Sequence, residues 1–197
     1  MDTQHHHFLK LLKPIESSVQ AYVKHLAWSR NDIEDIFQTA LLNAYKKFDT
    51  YQEGTNFKAW FFRFLTYTAY NANRRHEKIS LYEVLTDSQE IPEPVFNESM
   101  DNPLHYEKFL KDPDSILESI EQEIGEAIRR LAVRRRSIFL LKAIGNLSYT
   151  EIAHILDIPI GTVMGELYRA REQLRKELSG YVRKFRVLKK EGDSNGV

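Results

Sequence analysis

The stretch IPIGTVMGELYRAR, residues 158–171, has the form of a tight turn running into a helix, and the residues before it supply the other half of a helix-turn-helix. Ser148 stands ahead of the short helical run YTEIAHIL and caps it. Ile152, Ala153, Ile155 and Leu156 form the buried face of that run, and Ile158 and Ile160 plug the turn. Val163, Leu167 and Ala170 are the inward face of the second helix, and Ala153 is small where two steeply crossed helices meet. Thr162 is expected as the N-cap, leaving backbone N–H groups for a phosphate. Arg169, Arg171, Arg175 and Lys176 suit backbone phosphates. The exposed edge is different: Met164, Gly165 and Glu166 stand where a groove-reading helix is expected to be basic. Glu166 repels phosphate but accepts a hydrogen bond from cytosine N4, and Gly165 permits a close approach of the backbone.

Working outward, the periodicity is helical and nothing reads as a strand. Phe8, Leu9, Leu12, Ile15, Val19, Tyr22, Val23 and Leu26 recur at threes and fours, which predicts one helix over 8–28 with Pro14 in its first turns. Asn31 followed by Glu34 predicts a capping box ahead of a helix with Ile33, Ile36, Phe37, Ala40, Leu41, Ala44, Tyr45 and Phe48 on one stripe. DTYQEGTN breaks it, and a third helix is expected over 57–75. Its aromatics Phe57, Trp60, Phe61, Phe62, Phe64, Tyr67 and Tyr70 exceed what one buried face holds. About half belong to a core, Trp60 among them; the rest, interleaved with Lys58, Arg63, Arg74 and Arg75, suit stacking on unpaired bases. From 80 to about 114 Pro92, Pro94, Pro103 and Pro113 interrupt any helix and acids dominate, so a linker is expected. Helical spacing resumes at Ile116, Ile120, Ile124 and Ile128, and Gly145 ends the helix that follows. The expected fold class is all-α. Two helical domains, 1–79 and 116–190, are joined by a long acidic linker, 80–115, with a helix-turn-helix in the second domain and a disordered tail at 191–197.

The formal net charge of the 197 residues is zero, but its distribution is far from even. Residues 1–80 carry a net +3, residues 81–128 a net −11 and residues 129–190 a net +10, with −2 in the last seven. Local fields bind partners and the total does not, so the basic last third reads as a polyanion-binding module. No run approaches the length of a membrane span, and MDTQHHHFLKLLKP has neither the basic flank nor the apolar stretch of a signal peptide. With no cysteine there is no disulfide or thiolate metal site, which fits a cytoplasmic protein. His5, His6 and His7 read as an exposed tail rather than a metal site, and His154 as a structural residue or phosphate contact. No base or metal-ligand spacing accompanies the acids, so neither a catalytic residue nor a cofactor is expected and an enzyme is the least supported class.

Taken together, two segments carry a resemblance. NDIEDIFQTALLNAYKKFDTY followed by GTNFKAWFFRFLTYTAYNANRR resembles the promoter-melting domain of bacterial extracytoplasmic-function (ECF) sigma factors, and LSYTEIAHILDIPIGTVMGELYRAREQLRKEL is similar to their C-terminal domain. The resemblance implies a dissociable specificity subunit of core RNA polymerase that binds promoter DNA and assists strand opening. Asp35 and Gln38 would dock on the polymerase clamp. The loop 49–56 and the helix after it, with Asn56, Lys58, Arg63, Asn71, Arg74 and Arg75, would engage the −10 element. Thr162, Met164, Gly165, Glu166, Arg169 and Arg171 would face the −35 element, and the acidic linker would thread the basic RNA channel. An anti-sigma factor or other recruiting protein is a further possible partner. Departures from the family pattern are Thr39 where an acid is common, Tyr67 in place of a frequent asparagine, Asp157 where glycine is usual, and Gly165–Glu166. The alternatives are a sigma-like recruiting protein with weak or partner-assisted DNA recognition and a dimeric helix-turn-helix repressor.

Overall fold

The computed structural model describes residues 3–86 and 113–192, with side chains placed over 4–76 and 121–179. Every regular element among the described residues is helical. The first domain contains α1 (Thr3–Leu12), α2 (Glu16–Leu26), α3 (Asp32–Lys46) and α4 (Phe57–Thr86). The second contains α5 (Pro113–Arg130), α6 (Val133–Ala143), α7 (Tyr149–Leu156) and α8 (Ile160–Gly192). No helix among the described residues is long and apolar enough to cross a membrane.

The core of the first domain is built on α4. Phe57, Phe61, Phe62, Leu65 and Ala69 recur at threes and fours and are all buried, against Phe8 of α1, Val19, Tyr22, Val23 and Leu26 of α2, and Ile36, Ala40 and Ala44 of α3. Three of the seven aromatics in the run, Phe57, Phe61 and Phe62, are therefore core. Trp60, Phe64 and Tyr70 are half-buried on its border, and Tyr67 alone is well exposed. Trp60 stacks on Phe57 at 5.6 Å and meets Phe64 edge-on at 4.8 Å. Two buried polar side chains lock the helices in register. Thr66 gives its proton to the Phe62 carbonyl at 2.7 Å, so the Tyr22 hydroxyl donates to Thr66 at 2.8 Å. Asn73 accepts from the Trp28 N–H at 2.9 Å and donates to the Leu26 carbonyl at 3.1 Å, satisfying the end of α2 from across the core.

Several local expectations are corrected. The single helix over 8–28 is two, because Pro14 sits in a 3-10 turn, Lys13–Ile15, where its missing N–H and fixed φ break the ladder. The Asn31 capping box does not form: Asn31 is already helical in backbone and makes no cap hydrogen bond, while Asp32 accepts from the Ser29 N–H at 3.3 Å. The triple histidine belongs to α1, with His5 against the Tyr45 ring and His7 against Phe48. Pro113 opens α5, at the position where a proline needs no partner. Helix α4 runs on to Thr86, past the expected linker start, and residues 87–112 lie outside the described residues.

The second domain closes over its own apolar centre: Ala127, Ile128 and Leu131, then Ile138, Leu140 and Leu141, then Leu147, Ile152 and Ile155, then Val163, Leu167, Ala170 and Leu174. After α6 the chain turns at Gly145, where an added Cβ would lie 2.3 Å from the Leu141 carbonyl oxygen; only glycine fits.

Substituting Phe61 by Ala is expected to cost about 3–5 kcal/mol of unfolding free energy, and Trp60→Ala clearly less, because Trp60 already meets water. Chemical denaturation of both variants tests the order; equal losses would contradict it.

Candidate nucleic-acid interface

The helix-turn-helix is assembled largely from backbone requirements. Ser148 accepts from the Glu151 N–H at 3.2 Å, and Glu151 accepts from the Ser148 N–H at 2.7 Å, a complete capping box at the start of α7. Asp157 ends that helix in the left-handed region (φ 53°, ψ 54°), a conformation that aspartate tolerates better than most side chains do. The N–H of Ile158 then closes on the Ala153 carbonyl at 3.1 Å. Pro159 follows, and its carbonyl accepts from Thr162 at 2.9 Å and Val163 at 3.3 Å. Helix α8 therefore starts at Ile160, and Thr162 is inside its first turn rather than at the N-cap. Val163, Leu167 and Ala170 face inward as expected, but Ile160 does not plug the turn; it is 44% exposed.

The outward side of α8 has two parts. Ile160, Met164 and Tyr168, spaced by four, make an exposed apolar stripe. Beside it Gly161 and Gly165 have no atom within 4 Å of where a Cβ would stand, so nothing inside the protein requires glycine there. Glu166 is not a free edge residue. Its carboxylate receives Arg135 of α6 at 2.9 Å and Arg169 at 2.7 Å, and Arg135 also reaches Gln173 at 3.1 Å. The Arg135 hydrogen bond, with the charges of both arginines, holds the Glu166 carboxyl below the usual range. Arg171 is exposed, lining an apolar groove with Phe139, Leu174 and Leu178, and His154 is exposed on α7.

In the first domain the loop before α4 is ordered by short bonds. The Tyr51 hydroxyl donates to the Thr55 carbonyl at 2.8 Å, and Gly54 takes φ 83°. Asn56 caps α4 by accepting from the Ala59 N–H at 3.3 Å. Farther on, Arg63, Tyr67, Asn71 and Arg74 recur by four, four and three and are exposed along one face, with Arg75 beside them. Arg63 lies over the Tyr67 ring at 5.9 Å. Lys58 is not part of this face: it turns inward to Ser18 at 3.3 Å and over the Phe62 ring, and burial holds its ammonium below the usual range. On α3, Asp35 and Gln38 are exposed on one side together with Leu42, which is 58% exposed. Helical spacing from Gln38 makes Leu42 findable, but an isolated leucine in a leucine pair reads as core until burial is known.

The two domains pack against each other. Helix α4 meets α7, and α2 meets α6 and α5. The Asn56 amide donates to Glu151 at 2.6 Å, so the carboxylate that caps α7 also grips the residue that caps α4. Burial alone would raise the Glu151 carboxyl; the hydrogen bonds from Ser148 and Asn56, with Lys142 nearby, outweigh it and hold it low. Tyr70 of α4 meets Ser137 of α6, whose hydroxyl donates to the Arg134 carbonyl.

Because the folded Glu166 carboxyl is held below its unfolded value of about 4.5, its contribution is complete above that pH and disappears as pH falls through the lowered folded value. The gap in unfolding midpoint between the protein and Glu166→Gln should be widest at pH 7 and shrink on acidification. A gap constant down to pH 4 would contradict the pairing.

Comparisons with known proteins match this geometry. The family model for sigma-70 region 2 matches residues 11–79, and that for sigma-70 region 4 matches residues 121–174. The chain is 30% identical over 153 residues to the ECF RNA polymerase sigma factor SigW of Bacillus subtilis, covering 75% of this chain and 76% of the relative. It is 26% identical over 155 residues to the ECF RNA polymerase sigma-E factor of Haemophilus influenzae, covering 76% of each. Among solved structures, the sigma factor RpoE in complex with the anti-sigma factor NepR from Bartonella quintana has a TM-score of 0.64 at 24% identity, over 87% of this chain and 96% of that one. CnrH in complex with the cytosolic domain of CnrY gives 0.57 at 18% identity, over 88% of each. With the two matched regions falling on the two helical domains, the chain belongs to the ECF RNA polymerase sigma factors.

Proposed function

We propose that this sigma factor binds core RNA polymerase through the Asp35–Gln38–Leu42 side of α3, opens promoter DNA on the exposed face of α4, and reads the −35 element with α8. The observation that carries the reading is the α4 face. Arg63, Tyr67, Asn71 and Arg74 line up exposed on a helix whose Phe57, Phe61 and Phe62 are core, which combines a stacking platform with phosphate-binding cations. The domain limits 1–79 and 116–190 with the acidic tether between them are part of the same reading. So are a cytoplasmic location, where polymerase and chromosome are found, and the lack of covalent chemistry of its own.

Asn56 is available to DNA only after it leaves Glu151, so promoter engagement includes separation of α4 from α7. Lys58, turned inward, acts on the domain's packing. Glu166, with Arg135 and Arg169 on its oxygens, positions those guanidinium groups for phosphates. Met164 and Tyr168 suit thymine methyl groups, and Gly165 leaves space for the DNA backbone.

A second reading, assisted −35 recognition, is favoured by the apolar stripe Ile160–Met164–Tyr168, which is less basic than groove binding calls for. An anti-sigma factor or recruiting protein is the corresponding partner; NepR and CnrY accompany the two solved neighbours.

Run-off transcription with core polymerase separates the readings. Independent −35 recognition requires more product from a complete promoter than from a −10-only template; equal output points to assistance. Changing Arg74 and Arg75 together to Ala should reduce open complexes about tenfold or more while polymerase affinity stays near that of the parent protein. Equal losses in both assays would remove these arginines from the melting face. Gly165→Ala should raise stability by about 1 kcal/mol, because an exposed helical glycine is replaced, yet weaken binding to a complete promoter. Unchanged promoter binding would leave Gly165 outside the interface.

A further inference from the structure

Between the two domains lies a cleft of about 370 Å³, with Lys24, His25, Arg30 and Ile33 on one side and Glu121, Gln122, Gly125 and Arg129 on the other. Among the described residues three cations line it against one carboxylate, and Glu121 is already taken by Lys24 at 3.1 Å, an exposed pair of little energetic weight. Arg30 and Arg129 have no ion-pair partner among the described residues. Behind them Arg136 is 4% exposed and donates to the Arg129 carbonyl at 3.2 Å, but its Nε has no partner. The Nδ1 of His25 is likewise buried and unpartnered. Gly125 leaves the floor of the cleft low: a Cβ there would stand 3.7 Å from Arg129 and 3.9 Å from His25.

We propose that this cleft is a binding site for a small di- or triphosphate anion, held by Arg30 and Lys24 from the first domain and Arg129 from the second, and that the bound anion favours the closed arrangement of the two domains. Guanidinium groups match phosphate oxygens two at a time, and two arginines on opposite walls place such an anion across the seam. The imidazole of His25 is kept from charging first by burial and then by Lys24 and Arg129, with Glu121 acting the other way. An anion that binds only where both walls are present binds the closed form better, and it shifts the equilibrium by that difference. The site is separate from the faces assigned to polymerase and DNA, so its test stands apart from theirs.

The test is titration of the full chain with inorganic pyrophosphate and with a nucleoside triphosphate, read by calorimetry, by unfolding temperature and by hydrogen exchange. Saturable binding, a rise in unfolding temperature and slower exchange in α2 and α5 are expected. Arg129→Gln and Arg30→Gln, both at exposed positions, should each weaken binding about tenfold, the loss of one charge-assisted pair of hydrogen bonds. Equal affinity for the two ligands would assign recognition to the phosphates alone, and tighter nucleotide binding would add a base contact; either supports the site. Absence of binding at millimolar concentration, or affinity unchanged in both variants, would overturn it. So would binding lost in Arg169→Gln and kept in Arg129→Gln, which would place the anion on the recognition helix.

Discussion

Burial of the aromatic face of α4 is the constraint on which the other contacts rest. Phe61 and Phe62 are wholly buried, and burying side chains of this size is worth about 1.5–3 kcal/mol each. Helices α1, α2 and α3 have their apolar stripes satisfied only by lying around that face. The consequence extends outward: with one side of α4 committed to the core, the residues at the complementary angles are exposed in a fixed row. The row of Arg63, Tyr67, Asn71 and Arg74 is thus a by-product of where Phe61, Phe62 and Leu65 must point. The proposed melting surface is thus held in place by the core beneath it.

The seam between the domains is of another kind. It combines buried apolar contacts with hydrogen bonds made by groups that have other duties: Glu151 caps α7 and Asn56 caps α4, and each also holds the other. Arg136 is buried there without full satisfaction, and burying a charge that is incompletely paired is costly. In the proposed function the domains separate, and a seam with such incompletely paired groups leaves that equilibrium responsive to whatever binds across the gap.

On α8 the same economy appears. The carboxylate that interrupts the basic face is the group to which Arg135 and Arg169 are tied. In the proposed −35 contact, an acid on α8 is thereby converted from a repulsive charge into a support for two attractive ones.

Sequence periodicity by itself determined the all-helical class, the core faces of α3 and α4 and most of the helix-turn-helix frame, because burial of an apolar stripe follows from spacing, although Leu9 and Ile124 of the expected stripes are exposed. The Ser148 cap was legible from local residue type, while the bond that Glu151 accepts in return came with the structure. Partnerships between distant residues were not. Nothing in the spacing of Asn56 and Glu151, ninety-five positions apart, shows that one holds the other. Nor does it show that Lys58 turns inward, that Glu166 is taken by Arg135 or that Leu42 is exposed. Asn31 met every local requirement for a cap, yet its side chain makes no cap hydrogen bond and its own N–H donates to the Ser29 hydroxyl. Local pattern specifies which side of a helix is apolar; only the tertiary arrangement decides which polar groups are near enough to satisfy one another, because that depends on distances the chain does not encode locally.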